Sequence, residues 1–149
     1  MRRLALAGAL GLLLLTTSSV FAATASNVWR ASLSSTSTTM IHGGATIAEV
    51  AGGRAASVAV RLYGVKPDSM LSVTVMAGST SIVPSKPFRM AGTAVNRFWL
   101  RGADLKNLDA AIDAKATLTI TVTVTPHAAP GGAPVTPTTL TGTFARVTR

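Results

Sequence analysis

The chain has no cysteine, one tyrosine, two histidines and five carboxylates among its 149 residues, against 14 Lys and Arg. Each scarcity removes a class of function. Without cysteine there is no disulfide framework, no thiol nucleophile, no thiolate metal site and no lipidated-cysteine anchor. The acids are Glu49, Asp68, Asp104, Asp109 and Asp113, and the imidazoles are His42 and His127. No Gly-x-Ser-x-Gly elbow occurs, and a triad needs a histidine held by a carboxylate. Glycoside hydrolysis needs two carboxylates facing across a cleft, yet three of the five acids crowd between Asp104 and Asp113. The inventory therefore points away from an enzyme and implies no cofactor.

Charge is sparse too. Only 13% of residues are charged while 48% are hydrophobic, which suits one folded domain rather than a disordered polyelectrolyte. Met1-Arg2-Arg3 is followed by an unbroken apolar run from Leu4 to Leu15 and small residues at Ala22 and Ala23. A basic start, a short apolar stretch and a small-residue cut site read as a secretory signal peptide over 1–22. The run is short for a bilayer span, which needs about 20 residues. The remaining domain, 23–149, has no further transmembrane candidate. It is expected to be secreted, periplasmic or extracellular after cleavage. The absence of an Asn-x-Ser/Thr sequon there fits a bacterial exporter.

What the domain does have is alternation with period two, the mark of half-buried strands. Ala56, Val58, Val60 and Leu62 alternate with Ser57, Ala59, Arg61 and Tyr63; Leu71, Val73 and Val75 alternate with Ser72, Thr74 and Met76. Leu118, Ile120, Val122 and Val124 alternate with threonines, and β-branched residues suit a pleated surface. Shorter runs at Val28–Leu33, Ala45–Val50, Ser81–Val83, Phe88–Ala91, Val95–Arg101 and Leu140–Phe144 complete the set. Ala51-Gly52-Gly53 is a hairpin signal, and Lys66-Pro67-Asp68-Ser69 a turn. Pro84 and Pro87 argue for an edge strand, open to pairing with a partner protein. Leu105, Leu108 and Ile112 have helical spacing, with Asp104 as the expected N-cap. The expectation is all-β: a single antiparallel, immunoglobulin-like β-sandwich of seven or eight strands with one short crossover helix. Its Pro-rich loop, 125–139, holds Pro126, Pro130, Pro134 and Pro137.

Gly44-Ala45-Thr46-Ile47, then Gly53, then Val58-x-Val60-x-Leu62-x-Gly64-Val65, resembles the opening of chordin-type (CHRD) repeat domains. Leu140-x-Gly142-x-Phe144 resembles their closing strand. The resemblance implies a β-sandwich. Those domains carry histidines on the strand after the Gly-Val turn, whereas Leu71–Met76 has none, so no ligand residue transfers. Val65 to Val75 is also similar to the E–F corner of fibronectin type III modules, but their corner tyrosine would fall at Leu71.

The most usable chemistry is basic. Arg97, Trp99 and Arg101 alternate along one strand, as do Arg61 and Tyr63 along another, so each set projects from one face. Such a face could hold a polyanion at the cell envelope: an acidic wall polymer, anionic headgroups, or nucleic acid through its phosphates without sequence specificity. Aromatics between arginines also suit ring stacking. The plainer reading is a solvated sheet face with Trp99 under the helix. A second functional reading is a small metal-binding protein using His42 and His127 with Glu49 as a third ligand; its plain counterpart is two exposed loop histidines.

Overall fold

The computed structural model describes residues 27–36, 40–50, 52–89, 96–128 and 130–147. The signal-peptide reading falls outside them, as do Met90 and Ala91 of one expected strand. The described chain is mostly antiparallel β with one short helix, as the alternation predicts. In chain order the elements are β1 (Val28–Ser35), β2 (His42–Glu49), β3 (Ala56–Tyr63), β4 (Met70–Ala77), β5 (Thr80–Arg89), β6 (Asn96–Leu100), α1 (Ala103–Asp113), β7 (Leu118–Thr125), β8 (Thr138–Thr143) and β9 (Ala145–Arg146).

The strands form one continuous sheet, ordered β5-β4-β7-β8-β1-β2-β3-β6, with β9 also on β1. It is barrel-like. The edge strands β5 and β6 approach at one end, where Pro87–Arg89 and Asn96–Phe98 line a common cleft. The inward residues of both halves make a single core, in which Ile47, Val58, Val60, Leu71, Val73, Ile120, Val122 and Leu140 are buried. Their partners on the same strands face out, so the period-two pattern becomes an apolar lining and a polar shell.

β1 joins the two halves. Val28 to Leu33 pairs with β2, while Ser34 and Ser35 pair with β8. β8 and β9 keep one register along β1, interrupted only around Gly142–Phe144. At the interruption the backbones come very close. A Cβ on Gly142 would meet the Ser32 carbonyl oxygen, with the Leu33 Cδ2 3.1 Å and the Ala31 Cβ 3.3 Å away. Gly43 is under the same constraint, since a Cβ there would meet the Arg61 carbonyl oxygen and lie 2.8 Å from the Leu62 Cδ2.

Three expectations are adjusted. Ser81–Val83 and Phe88 are parts of one ten-residue strand, β5, which carries both prolines. It lies at the sheet edge, where a missing N–H costs no ladder bond. The Pro-rich connection shrinks to 126–137 because Thr125 ends β7 and Thr138 begins β8. The helix is not capped by Asp104: Gly102 holds the N-cap position with φ +57, and Asp104 sits in the first turn, where its charge favours the helix dipole.

α1 closes one end of the barrel with Leu105, Leu108 and Ala111. Its C-terminus is a Schellman motif: the Lys115 N–H donates to the Ile112 carbonyl and the Ala116 N–H to the Ala111 carbonyl, both at 2.9 Å. Lys115 takes φ +53 to do so, a region costing an L-residue about 1–2 kcal/mol. Lys115→Gly is therefore expected to stabilise the fold by about 1 kcal/mol, read as a melting temperature about 4 °C higher.

Candidate functional site

The outer face of β1, β2, β3 and β6 carries the basic residues, and pairing arranges them in rows. Ser32, Gly44 and Arg61 lie across one row; Arg30, Thr46, Ala59 and Arg97 across the next; Val28, Ala48, Ser57 and Trp99 across the third. Along a strand, successive outward residues are about 6.7 Å apart, and neighbouring strands are about 4.8 Å apart. Arg30 and Arg97 thus stand about 14 Å apart as opposite walls, with two strands of small residues between them. The result is an open groove of about 590 Å³ lined by Arg30, Arg61, Arg97 and Tyr63 over a floor including Gly44, Thr46, Ala48, Ser57 and Ala59.

The electrostatics follow from parity. Arg30, Arg61 and Arg97 occupy outward positions and are exposed. No carboxylate or imidazole lines the groove among the described residues. Glu49, the acid on these strands, shares parity with the buried Ile47 at the far end of β2, and it accepts a 2.6 Å hydrogen bond from the Asn27 amide. Asn27 in turn accepts one from the Arg146 guanidinium. The other four acids lie in the β3–β4 turn or on α1. Among the described residues no carboxylate in the lining neutralises the arginines of the groove, which makes it a focus of positive potential.

The sequence-predicted residues divide clearly. Arg61, Tyr63 and Arg97 line the groove. Trp99 is the outward cross-strand neighbour of the groove residue Ser57 and is 47% exposed, so it is not covered by α1. Arg101 is exposed just beyond β6. Arg30 was not singled out by sequence reasoning, although it falls outward between the inward Trp29 and Ala31 in a run already recognised as alternating.

His42, Glu49 and His127 are not brought together. His42 opens β2 and Glu49 closes it, about 23 Å apart on an extended strand. His127 is exposed beyond β7, and β8 and β1 lie between that strand and β2. No group of three metal-ligating side chains occurs among the described residues. His42 is a strand residue rather than a loop residue. Its ring stacks on Tyr63 at a centroid distance of 5.3 Å and its Nδ1 lies 3.0 Å from the Met40 carbonyl oxygen. No helix among the described residues is long and apolar enough to cross a membrane. Comparison of the chain with protein-family models, with curated proteins and with solved structures finds no match.

Proposed function

We propose that this chain is an exported, non-catalytic binding protein of the cell envelope, and that its arginine groove holds an anionic polymer. The observation that carries the reading is the convergence of Arg30, Arg61 and Arg97, from three different strands, on one groove without a carboxylate in its lining. Export is supported by the basic-then-apolar start of the sequence, and the binding role by the poverty of acid–base groups. We read the two halves of the barrel-like sheet as the facing layers of a sandwich. The resemblance to chordin-type repeats supports such a scaffold and supplies no ligand residues.

A chain with 14 Lys and Arg against five acids binds anionic surfaces nonspecifically, so the test must hold net charge constant. Arg61→Glu/Arg97→Glu and Lys106→Glu/Lys115→Glu change the charge equally, the first pair inside the groove and the second around α1. Affinity for an immobilised anionic polymer is expected to fall about tenfold or more in the groove variant, and two- to threefold in the helix variant. Equal losses would refute a groove-specific site.

A further inference from the structure

We propose that the polymer in the groove is an acidic polysaccharide, a chain of sugar rings bearing carboxylates. This rests on the polyanion reading and narrows it. Charge alone would require only the arginines, but the groove offers three kinds of contact. Two rows across the sheet present a hydroxyl, Ser32 in the row of Gly44 and Arg61 and Thr46 in the row of Arg30, Ala59 and Arg97, while in the third the exposed Trp99 stands beside the buried Ser57. These two rows lie about 6.7 Å apart along the groove, and each also carries a guanidinium.

The floor between the walls is made of short residues, Gly44, Thr46, Ala48, Ser57 and Ala59, so a flat ring can lie low on the sheet. At the two ends stand the exposed aromatics Tyr63 and Trp99. Tyr63 and Ser57 are six residues apart on β3, which makes the bed about 20 Å long, enough for several sugar units. Tyr63 is held by its stack on His42, which leaves its orientation preset.

A uronic-acid glycan uses every one of these features. Its carboxylates take the forked guanidinium donors, its hydroxyls take Ser32 and Thr46, and the apolar faces of its rings lie on Trp99, Tyr63 and the alanine floor. A ring-free polyphosphate leaves the aromatic faces and the alanine floor unused and meets only the hydroxyls and the arginines. A neutral glycan leaves the arginines unpaired.

The test titrates the purified full chain with oligogalacturonate, with polyphosphate of matched charge, with neutral dextran and with single-stranded oligothymidylate. Fluorescence reports on the site directly, because Trp99 is exposed and the only other tryptophan, Trp29, is 7% exposed. Oligogalacturonate is expected to quench Trp99 and to bind about tenfold more tightly than polyphosphate. The variants are titrated by calorimetry, because Trp99→Ala removes the fluorescent reporter: Trp99→Ala and Ala59→Leu are expected to abolish the preference for oligogalacturonate over polyphosphate, with an unchanged far-ultraviolet circular dichroism spectrum showing that both fold. Equal binding of oligogalacturonate and polyphosphate would overturn the glycan and leave the polyanion reading standing. Tighter binding of oligothymidylate would do the same in favour of nucleic acid. Binding of dextran as tight as that of oligogalacturonate, or of none of the four, would overturn both readings.

Discussion

Gly142→Ala is expected to cost about 3 kcal/mol or more and to remove most of the cooperative melting transition. The added methyl would run into the Ser32 carbonyl oxygen and crowd the side chains of Leu33 and Ala31, and a Cβ has no rotamer by which to escape. Relief requires β8 to move off β1, and β1 is the strand that connects the two halves of the sheet. A loss of that size is a large part of the total stability of a domain, typically about 5–15 kcal/mol. Gly131→Ala is the control. Gly131 has φ +73 but nothing within 4 Å of its would-be Cβ, so alanine there should cost about 1 kcal/mol of backbone strain and no more. Urea denaturation followed by far-ultraviolet circular dichroism measures both. Equal losses at the two positions would show that conformation, and not close approach, governs Gly142.

The second large effect is expected at Leu108. It is 0% exposed on α1 and belongs to the same core as the strands. Truncation to alanine should cost about 2–5 kcal/mol, because the end of a barrel closed by a helix cannot collapse to fill the space. Asp109, next in sequence and exposed, should tolerate alanine within about 0.5 kcal/mol. The same denaturation curves separate the two. If Leu108→Ala costs less than 1 kcal/mol, α1 is an ornament on the sheet rather than its closure.

The elements were legible in the sequence wherever burial imposes a period of two. Val58 to Leu62, Leu71 to Val75 and Leu118 to Val124 are strands with the expected faces inward. The same rule put Arg97 and Trp99 outward, and Arg61 and Tyr63 likewise. What could not be read is adjacency. Arg30 and Arg97 share a row only because β2 and β3 pair between them, and that pairing links positions far apart in the chain. The start of β2 was missed for a different reason. Gly43-Gly44 reads as a loop signal, yet glycine at 43 answers a demand from the neighbouring strand, whose Arg61 carbonyl leaves no room for a side chain. β9 has two residues and no periodicity to display, and only the hydrogen bond from the Val147 N–H to the Val28 carbonyl and its ladder on β1 reveal it.

The position of β1 also bears on when this chain can fold. Its hydrogen bonds run on one side to β2, the next strand, and on the other to β8 and β9, with the Arg146–Asn27 contact spanning 119 residues. Contacts of such range close late, since loop entropy must be spent before they reward it. Until β8 and β9 have been made, β1 has only one of its two flanks paired and the two halves of the sheet have no common seam. The part of the chain made before those strands is thereby kept pliable while it is being synthesised.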